Sequence, residues 1–359
     1  MATIAEVARE AHVGVATVSR VLNGSPAVRE QTRRRVLDAI DRLGYAPSPT
    51  ARALSTGRTQ AIGVVAPFFT RPSVMERLRG VSRVLAGSGY QLVLFDVEHP
   101  DETSFATLPL GAGLDGLLSI SLCPADAELD RLAAAGVPLV LVDHSHDRVP
   151  AVHTDDVAGA RLATEHLLAL GHRRIAFLGD DEASGFNFTS SAARRSGYER
   201  ALLDAGLEPD PALLRRGRHG RDVAMVQTRE LLQDANPPTA LFAASDTQAV
   251  GALEAAADAG AHVPGDFSVV GYDDIELARY AGLTTVAQPL EESGARGAEL
   301  LLAALDGTPA AGQQLPVELV ARETTGPPGR QRRRSSRKHQ APGRERSRHR
   351  RQDGKRVRP

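Results

Sequence analysis

The stretch VATVSRVLNG, Val15–Gly24, follows directly on TIAEVAREAHVG, Thr3–Gly14, and the two together decide how the chain is read. Thr3 with Glu6 three residues later fits a capping box, which starts a helix whose inward positions are Ile4, Val7, Ala8 and Ala11. Gly14 permits a tight turn and is acceptable as the next N-cap. A second helix then runs from Val15 to about Leu22 and buries Val18, Val21 and Leu22. That leaves Val15, Ala16, Ser19 and Arg20 on an outer face near its N-terminal end. A third helix, about Glu30 to Leu43, supplies Val36, Leu37 and Ile40 and stops at Gly44. Two short helices joined by a Gly-containing turn and backed by a third make a helix-turn-helix. In that geometry Arg20 can donate two hydrogen bonds to guanine O6 and N7 in the major groove, and Val15 and Ala16 suit a thymine methyl. Thr3, Ser19 and Tyr45 can bond phosphates, which position without specifying. Taken alone, Arg20 is equally a solvated helix charge.

Around this segment the composition is that of a globular protein. The 359 residues are 42% hydrophobic and 24% charged, with no Trp, enough for two or three domains. No apolar run approaches the length of a membrane span, and the start lacks a basic-then-apolar secretory signal. Cys123 is the only cysteine, so no intrachain disulfide is possible and a reducing, cytoplasmic setting is expected. The net charge of −1 conceals a lopsided distribution: from Arg330 onward there are 14 Lys/Arg against 2 Asp/Glu. The preceding body is therefore acidic, and a whole-chain balance near zero does not argue against nucleic-acid binding.

Four segments separate by pattern. Residues 1–46 form the helical headpiece, 47–59 a Pro/Ser/Thr-rich connector, 60–326 a two-lobed core, and 327–359 a basic tail whose composition predicts disorder. In the core, buried-type strands alternate with amphipathic helices: AIGVVAP, YQLVLFD, DGLLSI, VPLVLVD, RIAFLGD, TALFAAS and FSVVGYDD. That pattern predicts an α/β fold with parallel sheets covered on both faces. In the connector, Ser48 can cap and Pro49 open a helix of barely two turns, which is marginal in water unless something packs on it. A passive linker with Leu54 docked on the core is the plain alternative.

Ligands in open α/β sheets sit beyond the carboxyl ends of the strands, which here carry Asp96, Asp143, Asp180, Ser245-Asp246 and Asp273. Carboxylates with Arg and amides suit a polyhydroxylated ligand, since one carboxylate accepts two sugar hydroxyls. Asp246 and Asp274 can as well cap turns or helices, Phe68 and Phe69 can flank a ligand or belong to the core, and His172 orders the turn before a strand. His144, His146 and His153 lie close in sequence, yet no Cys/His signature accompanies them and no metal is expected. A G-x-S-x-G elbow, a Walker loop and a zinc signature are all absent from the sequence, which leaves catalysis without carrier residues and calls for no cofactor.

The segments TIAEVAREAHVGVATVSRVLNG and VLDAIDRLGYAPSPTARAL closely resemble the DNA-binding headpiece of the lactose/galactose repressor (LacI/GalR) family. The likeness continues through HLLALGHRRIAFLG, RRSGYERAL, VVGYDD and LTTVAQP, over roughly residues 2–326. The resemblance implies a homodimer that binds a pseudo-palindromic operator in double-stranded DNA and is switched by a small molecule, a sugar or sugar derivative. It implies a DNA-facing set of Thr3, Val15, Ala16, Ser19, Arg20, Asn23, Tyr45, Ser48, Ala51 and Leu54. Within it, Leu54 matches the leucine that a paired hinge helix inserts into the minor groove, and Ala51 the small residue where the hinges approach. Ser48 stands where the family usually has Asn. In the periplasmic-binding-protein-like core, Arg194 and Asp273 match ligand-binding residues, joined by Asp143, Ser190, Ser245 and Gln288; Ser245 falls where many members have Asn. A sugar-binding protein without a transcriptional role shares that core but lacks the headpiece.

Overall fold

The computed structural model describes residues 2–22, 24–46, 58–97, 105, 108, 113–181, 189–309 and 311–329. The positions expected to touch DNA at Asn23, Ser48, Ala51 and Leu54, and the tail from residue 330, lie outside them.

Three helices open the chain: α1 (Ile4–Glu10), α2 (Val15–Leu22) and α3 (Glu30–Leu43). The capping box forms in both directions, with Glu6 N donating to Thr3 Oγ1 at 3.3 Å and Thr3 N to the Glu6 carboxylate at 2.7 Å. The turn into α2 takes its left-handed residue at His12, φ 52°, and not at Gly14, where an added Cβ would meet nothing within 4 Å. Gly14 instead supplies the carbonyl that accepts from Thr17 N and Val18 N. Val7, Ala8, Ala11, Val18, Val21, Val36 and Ala39 form the core of this unit, with Ile4, Leu22, Ile40 and Tyr45 at its margin. Leu37 is not part of it: that side chain is 45% exposed, because α3 is packed along one narrow stripe that selects Val36, Ala39 and Ile40. Gly44, φ 58°, ends α3, and Tyr45 N donates back to Ile40 O at 3.0 Å.

From Ala61 the order is β1 (Ala61–Pro67), α4 (Pro72–Leu85), β2 (Gln91–Val97), β3 (Gly116–Ile120), α5 (Asp126–Ala134), β4 (Leu139–Val142) and β5 (Ala151–Thr154). There follow α6 (Asp156–Ala169), β6 (Ile175–Asp180), α7 (Ser190–Asp204), β7 (Leu214–Gly217), α8 (Arg221–Gln233), β8 (Ala240–Ala243), α9 (Asp246–Asp258) and β9 (Ser268–Asp273). The chain continues through α10 (Glu276–Tyr280), β10 (Thr284–Ala287), α11 (Leu290–Leu305), β11 (Gln313–Leu315) and β12 (Glu318–Val320). All seven strands expected from the sequence are present. Two six-stranded sheets result, ordered β11-β5-β4-β3-β1-β2 in the N-lobe and β12-β10-β9-β8-β6-β7 in the C-lobe. Pairing is parallel except between β10 and β12. β3, β4, β8 and β9 are buried along their whole length, as helices on both faces require.

The chain crosses between lobes after β5, after β10 and between β11 and β12. α11 thus returns to the N-lobe and packs on α4, with backbone so close that a Cβ on Gly294 would lie 1.9 Å from Arg77 O. In each sheet the strand order reverses beside the first strand, β1 or β6, which opens a crevice at the carboxyl ends there.

Candidate functional site

On α2 the buried Val18 and Val21 leave the opposite face to solvent: Val15 is 46% exposed, Ala16 and Arg20 are exposed, and Ser19 is half-buried. Arg20 forms no ion pair among the described residues, so its guanidinium is available to an external acceptor. Thr3 is exposed, but its hydroxyl is engaged with Glu6 in the capping box. That bonding, with backbone and hydroxyl of Thr3 both donating, holds the Glu6 carboxyl below its usual range. Tyr45 is half-buried at the rim of the helical core.

Between the lobes lies a narrow cleft with about 60 Å³ of internal space, and all six core residues picked from the sequence line it: Asp143, Ser190, Arg194, Ser245, Asp273 and Gln288. Asp143 follows β4; its Oδ1 accepts from Arg77 Nη2 at 2.5 Å and its Oδ2 from Ser121 Oγ at 2.7 Å. Gln288 sits at the second lobe crossing. Its Oε1 accepts from Thr154 Oγ1 at 3.0 Å and Arg77 Nη2 at 3.4 Å, while its Nε2 donates to Asp273 Oδ1 at 2.7 Å. Arg194 Nε donates to Asp156 at 2.8 Å and Nη1 to the Ala244 carbonyl at 2.6 Å, with its guanidinium stacked 3.8 Å from the Tyr272 ring centroid. Ser245 lines the cleft but its hydroxyl caps α9, accepting from Gln248 N at 3.2 Å.

These contacts set the charges. Burial pushes the Asp156 and Asp273 carboxyls up, against the pull of Arg194 on both. Burial alone would lower Arg194, and the two carboxylates more than reverse it, holding the guanidinium charged. Asp180, at the end of β6, is also pushed up by burial, but the hydrogen bond and charge of His219 outweigh that and leave it below the usual range.

Several cleft residues escaped the sequence reading: Arg71, Ser73, Arg77, Ser121, Ser191 and His219. Arg77 left a signal, because it occupies the buried stripe of α4 beside Val74, Val81 and Leu85, where an arginine is out of place. Other strand-end groups serve the fold. Asp246 accepts from Thr285 Oγ1 and Ile275 N, Asp274 pairs with Arg322 at 2.6 Å, and Asp96 accepts from Phe69 N. Phe69 packs on the N-lobe core, and Phe68 lies under the Arg71 guanidinium. His172 bridges Thr239 and the Gly326 carbonyl, each at 2.9 Å, and so orders the turn before β6. Among the described residues no three His, Cys, Asp or Glu side chains are grouped to hold a metal, and no helix is long and apolar enough to cross a membrane.

Comparison with known proteins gives two family matches: residues 3–48 with the bacterial regulatory proteins of the lacI family, and residues 164–325 with the periplasmic binding protein-like domain. The chain is 33% identical over 305 residues to catabolite control protein A of Priestia megaterium, covering 83% of this chain and 91% of that protein. Among solved structures it is similar to the lac repressor dimer bound to operator and the anti-inducer ONPF, at 30% identity and a TM-score of 0.78, covering 90% of this chain and 99% of the other. It is also similar to the complex of the transcriptional regulator CelR with cellobiose, at 34% identity and a TM-score of 0.65, covering 90% and 100%.

Proposed function

From the premise that this chain belongs to the lacI family of bacterial regulatory proteins, we propose that it represses carbohydrate-related genes and responds to a sugar or sugar derivative held in the interlobe cleft. It is a DNA-binding transcriptional regulator. The observation that carries the reading is the union, in one chain, of an exposed α2 face on a packed helical headpiece with a polar cleft between two lobes. Arg20 reads a guanine, Val15 and Ala16 meet apolar base edges, and Ser19 and Tyr45 position the headpiece on phosphates, with Asn23 in the same DNA-facing set and Thr3 contributing less because its hydroxyl already donates to Glu6. Ser48, Ala51 and Leu54 belong to a hinge that pairs in the minor groove of the operator-bound homodimer. Asp143, Ser190, Arg194, Ser245, Asp273 and Gln288 hold the effector, although the capping role of Ser245 reduces its share. We assign domain limits of 1–46, 47–59 and 60–326, a cytoplasmic location and no catalytic step.

The effector acts through different affinities for two lobe arrangements, which change the spacing of the paired hinges. A fragment obtained by binding selection, followed in a gel shift while candidate sugars are added, tests this. Dissociation or tightening on addition of one sugar is expected. A fragment held identically whatever is added, with no sugar detectably bound, would refute the effector half of the reading.

A further inference from the structure

The chain enters the N-lobe through Arg58, Thr59 and Gln60, and these residues are held from two sides. Asp115, just before β3, accepts from Thr59 N at 2.7 Å, from Thr59 Oγ1 at 2.8 Å and from Gln60 N at 2.9 Å. Gln60 has φ 56°, a left-handed backbone uncommon outside glycine, so the chain turns at that residue before β1. Arg58 reaches the other way. Its Nη2 donates to the Leu305 carbonyl at 2.8 Å, while its Nη1 donates to the Tyr90 hydroxyl at 3.2 Å and lies 3.5 Å from the Asp306 carboxylate.

Leu305 is the last residue of α11, and Arg58 meets a need there. The final carbonyls of a helix lack partners within it and favour a cation. α11 has no basic residue in its last turn and carries an acid, Asp306, just past its end. Arg58 supplies both the donor and the positive charge, from 247 positions away in the sequence.

The opposite end of α11 starts at the junction of the lobes. Gln288, two residues before the helix, accepts from Thr154 of the N-lobe and donates to Asp273 of the C-lobe. The helix itself has 16 residues, about 24 Å at the usual rise. Its first turns are clasped to α4: a Cβ on Gly80 would lie 1.9 Å from Glu291 O, just as one on Gly294 would from Arg77 O. α11 is therefore a stiff element with the lobe junction at its N-terminus and the connector at its C-terminus.

We infer that Arg58 is a positioning residue for DNA binding: it ties the connector to α11, so that a change at the Gln288 junction travels along the helix to the DNA-binding segments. The inference rests on the proposed transmission from the lobes to the connector and names the contact that makes it. The Arg58 side chain is 47% exposed and that of Asp306 70%, so the tie is screened by water and weak enough to break and re-form as α11 shifts. The three bonds to Asp115, by contrast, fix residues 59 and 60 to the sheet.

A double-mutant cycle between the two ends of α11 is the test. Operator affinity of the full chain is measured by fluorescence anisotropy at fixed salt, on a fragment obtained by binding selection. The parent, Arg58→Ala, Gln288→Ala and the double variant are compared. Sites this far apart normally act independently, to within a factor of about two. Here Gln288→Ala should change operator affinity at least fivefold in the parent chain and less than twofold once Arg58 is replaced. Thermal melting verifies folding; if Gln288→Ala unfolds, Gln288→Glu, which keeps the shape and sets a second carboxylate against Asp273, takes its place. An equal change in both backgrounds, as expected if Arg58 merely attracts phosphate, overturns the inference and leaves transmission from the lobes to DNA standing. No change in either background overturns the inference together with the transmission it rests on.

Discussion

Arg194→Met puts the charge balance of the cleft to a quantitative test. The guanidinium is 6% exposed, bonded to Asp156 at 2.8 Å and to the Ala244 carbonyl at 2.6 Å, and lies 3.8 Å from Asp273. Methionine keeps much of the volume and the apolar stem over Tyr272, so packing changes little. What changes is that two buried carboxylates lose the cation between them. Removing one partner of a buried ion pair costs about 3–5 kcal/mol. At about 2–4 °C per kcal/mol for a unit of this size, the melting temperature should fall by roughly 6–20 °C near neutral pH.

The sign of the pH dependence is also determined. Burial already holds Asp156 and Asp273 above the usual carboxyl range, and loss of Arg194 raises both further. A carboxyl whose folded-state pKa exceeds its unfolded value destabilises the fold above that folded pKa. The deficit is relieved as pH falls through it and the proton is taken up. The penalty of Arg194→Met should therefore shrink as pH is lowered from neutrality toward the acid limit of folding, and adding Asp156→Asn should recover roughly half of it. Scanning calorimetry of the three proteins across that pH range is the assay. A drop below about 3 °C at neutral pH, or one that does not change anywhere in the range, would show that Arg194 does not neutralise this pair.

Arg20→Ala should cost about 1–3 kcal/mol on the selected operator and relax one base pair in each half-site; the same site logo for both proteins would remove Arg20 from base reading. Gly294→Ala places a Cβ against the Arg77 carbonyl, 1.9 Å away, and must push α4 and α11 apart at a cost of about 1–3 kcal/mol. An unchanged melting temperature would mean that the two helices separate freely. Truncation after Gly329 removes 14 Lys/Arg and 2 Asp/Glu, so the plot of log affinity against log salt should flatten. An unaltered slope would deny the tail any electrostatic part in DNA binding.

The headpiece was readable because its determinants are local. A capping box closes over four residues, a C-terminal glycine ends α3, and an apolar stripe repeats on one helix face. The central strands were readable for a similar reason: β1, β3, β4, β6, β8 and β9 are continuous apolar runs that only a doubly covered sheet can bury. Family motifs carried Arg194 and Asp273 to the cleft. The short β5, β7, β10, β11 and β12 were not assigned from pattern, since three or four residues give too little periodicity; they exist by pairing with strands already in place. Leu37 shows the same limit on a helix, where the sequence offers an apolar residue and only the width of the packed stripe decides that it faces water. The cleft is the strongest case. Arg77 meets Asp143 66 residues away and Gln288 211 residues away, across lobe crossings that no local pattern announces. The sequence by itself determined the headpiece helices and the long central strands, because those depend on neighbours along the chain. Only the tertiary structure decided which charges share a cavity, because a buried guanidinium is stable only where the fold brings it a distant carboxylate.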